Sequence, residues 1–205
     1  MMAMRHRSLP AARYSELDRE TTMTDQVPPV EWVTKIDVAK RQLRAAIRFF
    51  FERRDPVIIH ALAVAAHQVL TDLGNSSGIA GLLKGKVQSA QQLRNLNVAA
   101  NFLKHADKDP NGRINIRPLG DLTAEFLMDA VVLLQRLESE MPMEAKIYWT
   151  WFVTKHKELF EGSGEVTQGL INLGLDPDDF DGVTAMLMFH DLQEAATQNA
   201  AKRDQ

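Results

Sequence analysis

The stretch that most constrains this chain is "KIDVAKRQLRAAIRFFFERRDPVIIHALAVAAHQVLTDLG", residues 35 to 74. Its first half places Ile36, Ala39, Leu43, Ala46, Ile47 and Phe50 at helical spacing, so one face is apolar. Asp55-Pro56 is then a helix start signal, since an acid caps free N–H groups and proline suits the first helical position. The pattern predicts a helix over about 31–54 and a second from Pro56 to about Leu73, with Gly74 as its stop. The second is rich in alanine (Ala61, Ala63, Ala65, Ala66), so other helices can approach it closely.

The remainder repeats the same kind of pattern. Helices are expected over about 87–106, 122–138 (capped by Asp121) and 142–161 (opened by Pro142), and two more within "EVTQGLINLGL" and "DGVTAMLMFHDLQEAATQNA". Ile114 and Ile116 alternate with polar residues, which suggests a short extended segment or hairpin arm near 113–117. With no repeat and no long strand, the expected fold is an all-α, single-domain bundle of six to seven helices. The domain is expected over 31–200, between a disordered extension at 1–30 and a polar tail at 201–205. Met23 opens "MTDQVPPVEW" and is the expected native start, with the first 22 residues an upstream extension of the frame.

Composition narrows the function classes. Of 205 residues 45% are hydrophobic, enough for a packed core. A net charge of −3 argues against a strongly basic nucleic-acid protein. The absence of cysteine excludes disulfides, thiolate zinc sites and cysteine nucleophiles. The most apolar run, Val57 to Val69, is interrupted by His60 and His67, and the N-terminus lacks the apolar middle of a secretory signal. A cytoplasmic protein without a membrane partner is therefore expected.

"NFLKHADKDPNGRINIRP", residues 101–118, is the stretch richest in candidate chemistry. Asp107, Asp109, Asn111 and Gly112 match the first half of an EF-hand calcium loop, but the position of the bidentate glutamate is Pro118. Lys108, Arg113 and Arg117 also outnumber the two aspartates. No metal site is expected there, and Asp107, Asp109 and Asn111 remain its only candidate ligands. Asp109-Pro110-Asn111-Gly112 suits a type I turn instead. The preceding helix carries a polar stripe, Arg94, Asn97, Asn101, His105 and Lys108, opposite Leu96, Ala99, Leu103 and Ala106. Asparagine is a poor helix former, so this stripe is the candidate binding face: Arg94, Asn97, Asn101, Lys104 and His105, with Asn101 and His105 the candidate catalytic pair.

Other features have plainer readings. His60 and His67, two turns apart, read as core or interface histidines, and His156 and His190 as isolated helical ones. Trp149 and Trp151 point about 200° apart on a helix and so pack against different neighbours. "DPDDFDG" (176–182) reads as an acid-rich helix start. Asp37, Arg41, Arg44, Arg48 and Glu52 read as a solvated face with intrahelical ion pairs, or as a basic face for an anionic partner.

The opening stretch, together with "AANFLKHADKDP" and "EFLMDAVVLLQRL", resembles an uncharacterised family of bacterial all-helical proteins whose pattern pairs "DPV.IH.LA.AA..IL.DLG" with "NF.KHADRDP". The resemblance covers about residues 35–160 and draws attention to Asn101, Phe102, Lys104, His105, Asp107, Asp109 and Pro110. It implies a fold rather than a function. A broader resemblance is to HEPN-type helical domains, which include RNA-cutting toxins. Their motif would begin here at Arg94-Asn95 and put its histidine near Ala99 or Ala100, whereas His105 comes later.

Together these features lead us to expect a non-enzymatic binding or interaction module that needs no cofactor and takes an unknown protein or small ligand. The alternatives are a HEPN-like RNA-binding protein or ribonuclease, with His105 as general acid or base and Asn101, Lys104 and Arg94 on phosphate, or a divalent-ion module at Asp107, Asp109 and Asn111. The alanine-rich second helix suits an intramolecular neighbour or a homodimer mate equally.

Overall fold

The computed structural model describes residues 32–83, 90–105, 107–160 and 176–203, the side chains of 90–96 and 202–203 excepted. The chain divides after Trp32, and the helical unit begins at Val33. Among the described residues the α-helices are α1 (Lys35–Phe51), α2 (Pro56–Ser76), α3 (Ala90–Lys104), α4 (Leu119–Leu137), α5 (Met143–Lys155) and α6 (Phe180–Arg203), with a 3₁₀ turn at Lys157–Leu159. Among the described residues there is no strand, and the fold is the all-α bundle that the helical spacing predicts.

Local chemistry sets the starts. Thr34 Oγ accepts from the Asp37 N–H at 3.2 Å while the Asp37 carboxylate accepts from the Thr34 N–H at 3.0 Å, a reciprocal cap on α1. Asp55 Oδ1 accepts from the Val57 N–H at 2.8 Å and Pro56 follows as the first helical residue of α2. Helix α2 lies between α1 and α4, its most extensive partners. Ala39 and Ala46 on α1, Ala63 and Ala66 on α2 and Ala130 on α4 are all fully buried, which lets the three helices approach closely while Leu43, Ile47, Leu70, Leu127 and Leu134 fill the space between. By length and composition α2 is apolar enough to cross a membrane, with a mean hydropathy of 1.4 over 18 residues. In this fold its apolar length serves packing against two neighbours at once.

Aromatic rings close the other side. Phe50 and Phe51 meet Tyr148, Trp151 and Phe180 at centroid distances between 5.1 and 6.0 Å, mostly edge to face. The polar ends of these rings are paired: Tyr148 donates to the Ala124 carbonyl at 2.9 Å and Trp151 Nε1 to the Pro177 carbonyl at 2.8 Å. Trp149 instead meets Phe160, so the two tryptophans do diverge.

A buried ion cluster ties α1 to α5 and α6. Glu144 is fully buried in the first turn of α5. Its Oε1 accepts from Arg44 Nε at 3.0 Å and from Arg48 Nη2 at 2.6 Å. Arg48 also holds the Asp191 carboxylate of α6 through both terminal nitrogens. Burial pushes the Glu144 carboxyl upward, but hydrogen bonds from Arg48, its own backbone and Arg44 outweigh it and leave it below the ordinary range. Arg44 and Arg48 are therefore interhelical anchors rather than a solvated face or a free basic surface. Their partner is about a hundred positions away in sequence, beyond any helical spacing rule.

Several sequence expectations change. The second helix does not stop at Gly74 but runs to Ser76. The positive φ belongs to Gly78, at 71°, while Gly74 is needed for close approach, since a Cβ there would lie 2.8 Å from the Ile79 carbonyl oxygen. Asp121 sits inside the first turn of α4, whose N-cap position is Pro118. No hairpin arm forms at 113–117, because Asn115 Oδ1 takes the Arg117 N–H at 3.0 Å and the Leu119 N–H returns to the Ile116 carbonyl at 3.1 Å. These local bonds occupy the groups a partner strand would need. Helix α6 continues to Arg203, into the segment expected as a tail. The extension at 1–30, the Met23 start and the helix within 165–175 lie outside the described residues.

His60 gives the core a pH dependence. It is fully buried on α2, with Nδ1 2.9 Å from Thr123 Oγ1. Thr123 spends its proton on the Leu119 carbonyl at 2.5 Å, so Nδ1 must be the donor to Thr123 and Nε2 carries the lone pair. That Nε2 is buried without a partner among the described residues. Burial holds the His60 pKa below its usual 6.5. The unfolded chain thus takes up this proton first, and the stability present above about pH 6.5 is lost as pH falls through that value. Urea unfolding from pH 8 to 5 is expected to show a decline beginning near 6.5 that is reduced in His60→Gln; an identical decline in both proteins would contradict this role.

Candidate binding site

An apolar concavity among the described residues lies between α4, α5 and the segment that follows α2. It encloses about 380 Å³ and is lined by Leu82, Leu83, Glu125, Met128, Asp129, Phe152, Leu159 and Phe160. Helix α4 supplies Glu125, Met128 and Asp129 at helical spacing, α5 supplies Phe152, and the 3₁₀ turn swings Leu159 and Phe160 across the far side.

Asp129 fixes one wall. It is only 2% exposed in an otherwise apolar helix. Its Oδ2 lies 2.7 Å from His67 Nε2 on α2, and its Oδ1 accepts the backbone N–H of Leu82. A buried carboxylate needs such partners, because an unpaired one would cost several kcal/mol. The bond to Leu82 holds the segment after α2 onto α4, and it works only because residue 81 is glycine. A Cβ at Gly81 would lie 2.7 Å from Asp129 Oδ1 and 2.9 Å from its Cγ. Arg136 strengthens the same segment by donating to the Ala80 carbonyl at 2.5 Å. His67 is steadied by Phe126, edge to face at 5.0 Å.

Both Asp129 oxygens are engaged, Glu125 presents an exposed carboxylate at the rim, and the remaining lining is aliphatic or aromatic. Apolar walls with few convergent polar groups are the usual composition of small-molecule sites.

The sequence-derived candidates lie elsewhere. Asn101 and Lys104 are exposed in the last turn of α3, Asn97 is half-buried, and His105 is half-buried just past the helix end, its N–H bonded to the Asn101 carbonyl at 3.0 Å. Of the expected buried stripe, Ala99 is buried and Leu103 half-buried, while Ala106 and the Leu96 side chain lie outside what the structure describes. Arg94 falls among the residues whose side chains are not described. It precedes His105 by eleven positions, about 16 Å of helical rise. Asp107, Asp109 and Asn111 are all exposed, and a turn bond from the Gly112 N–H to the Asp109 carbonyl at 3.1 Å closes this loop. Among the described residues the metal-type side chains that do converge are His190, Asp191 and Glu194 on α6. Arg48 holds Asp191, and Arg44 lies 3.8 Å from Glu194, so two guanidinium groups already occupy the place of a cation. The acidic loop before α6 caps it, with Asp179 Oδ1 accepting from the Gly182 N–H at 2.8 Å.

Asp129 and Gly81 do not figure among the sequence expectations, whereas His67 is the core or interface histidine that its surroundings predict, paired with Asp129. The signal was present: Asp129 is the lone charge between Glu125 and Arg136, and a lone acid on a helix buried all round must have a partner. No family model, no curated protein and no solved structure matches the chain.

Gly81→Ala is expected to lower the melting temperature by roughly 3–10 °C, the equivalent of about 1–3 kcal/mol for a buried acceptor that loses a donor. Gly120→Ala is the control. It lies in the first turn of α4 with nothing within 4 Å of an added Cβ, and is expected to hold or raise the melting temperature. Equal losses in the two variants would contradict the close-approach role of Gly81.

Proposed function

We propose that this protein is a non-enzymatic binding module whose ligand is a small molecule with an apolar body and a cationic or hydrogen-bond-donating end. The observation that carries this reading is the 380 Å³ apolar pocket with Glu125 at its rim and Asp129 in its wall. That volume falls in the range of about 300–1,000 Å³ typical of small-ligand sites. The carboxylate on the rim favours a donor or a cation over an anion. The wall is pre-set by the Asp129 bonds to His67 and Leu82, which lowers the ordering cost of binding.

Octylamine, octanol and octanoate serve as probes of one chain length with three head groups. At about 100 times its dissociation constant, octylamine is expected to add roughly 2.7 kcal/mol to stability and to raise the melting temperature by several degrees. Octanol is expected to do less and octanoate least. Met128→Trp, which fills the pocket, is expected to abolish the shift. No shift with any probe, or one that survives Met128→Trp, would reject the reading.

A further inference from the structure

Helix α6 is apolar on two opposite sides, and the bundle uses one. Val183 and Leu187 are buried against the body of the protein. On the opposite side Ala185, Met188, Phe189, Leu192 and Ala196 follow one another at spacings of 3, 1, 3 and 4, and all are exposed. Met188 is 61% exposed, Phe189 62% and Leu192 69%. A helix with two apolar faces is ordinarily covered on both. Beyond Glu194, whose carboxylate still lies 3.8 Å from Arg44, every residue from Ala195 to Ala201 is exposed. Helices of this length draw most of their stability in water from packing, so a free helical arm calls for a partner.

We propose that the partner is a second copy of this chain, with two α6 helices pairing antiparallel about a two-fold axis at Leu192. The helix spans Phe180–Arg203, so Leu192 is its midpoint, and antiparallel pairing there keeps the whole arm in contact. Charge favours the same direction. The approach to α6 and its first turn are acidic, with Asp176, Asp178 and Asp179 before the helix and Asp181 within it, whereas its last turn is basic in sequence, with Lys202 and Arg203. Antiparallel pairing sets the basic end of each copy beside the acidic start of the other, and parallel pairing sets like charges together. The opposed helix dipoles act in the same sense. The small side chains Ala185 and Ala196 permit close approach, while Met188, Phe189 and Leu192 supply the apolar area. At about 150–250 Å² per large side chain and the exposures above, these three present on the order of 400 Å² per copy. The pair buries about 800 Å² through them, and its polar flanks bring the interface to about the 1,000 Å² lower bound of specific association. A concentration-dependent dimer follows, rather than an obligate one.

The absence of native cysteine makes the test direct. Leu192→Cys, in the full chain, places one thiol per copy on the two-fold axis. Ala185→Cys places it seven residues away, where an antiparallel mate presents Asn199 instead. Both sites are exposed, and a thermal melt of each variant verifies the fold. Under mild oxidation Leu192→Cys is expected to form covalent dimers at least tenfold faster than Ala185→Cys. Sedimentation of the unmodified chain from about 1 to 200 μM is expected to show a monomer–dimer equilibrium that Leu192→Glu shifts to monomer. Equal cross-linking at both positions would indicate parallel pairing and overturn the proposal, as would a monomer at every concentration.

Discussion

The clamp of Arg44 and Arg48 on the buried Glu144 carboxylate is the interaction on which the rest of the arrangement depends. It joins the middle of α1 to the first turn of α5 and, through Asp191, to α6. Two helices whose contact residues lie about 100 and 143 positions beyond α1's arginines are thereby fixed in rotation as well as position. The rotation of α5 places Phe152 in the pocket wall and Trp151 in the aromatic cluster. The rotation of α6 sends Val183 and Leu187 inward and leaves Leu192 outward. Removing a carboxylate from water costs several kcal/mol, so Glu144 is tolerated only because two guanidinium groups meet it. What the cluster adds is one preferred register among packings that aliphatic side chains alone would accept.

Asp129 does the same work on a smaller scale. It lies on a helix buried throughout 126–134 and turns a requirement for partners into geometry, drawing His67 from α2 and the Gly81–Leu82 segment toward one point. The pocket exists because this segment is held against α4 rather than collapsed into it. The two buried carboxylates thus divide the labour, one orienting helices and the other shaping a cavity. His60 contributes differently, since its stability is conditional on remaining neutral.

How much of this was legible in the sequence follows from the range of the forces involved. Helical spacing, the Asp55-Pro56 start, the divergence of Trp149 and Trp151 and the acid cap at Asp179 are local, and each is present as read. The errors arise where partners are distant or where competing local bonds were overlooked. Arg44 and Arg48 have the spacing of a solvated stripe, and nothing within a few turns reveals Glu144, which itself looks like an ordinary acid in a first turn. Gly74 has the position of a helix stop, but its contact with Ile79 makes it a packing residue while Gly78 makes the turn. Ile114 and Ile116 alternate like a strand, yet Asn115 closes the backbone on itself. The candidate site illustrates both cases. The polar stripe from Arg94 to Lys108 could be read because it is periodic, and the pocket was missed because its wall joins α4, α5, the 3₁₀ turn and the segment after α2.

The measurement that tests this account most directly is a double-mutant cycle between Arg48 and Glu144, using Arg48→Met, Glu144→Gln and the pair, with stability read by urea unfolding at pH 7. If the clamp sets the register of α5 and α6, the single changes are not independent, and a coupling energy above about 1.5 kcal/mol is expected. Additivity to within about 0.5 kcal/mol would contradict the account, because the ion cluster would then be a passenger on packing that the apolar core already determines.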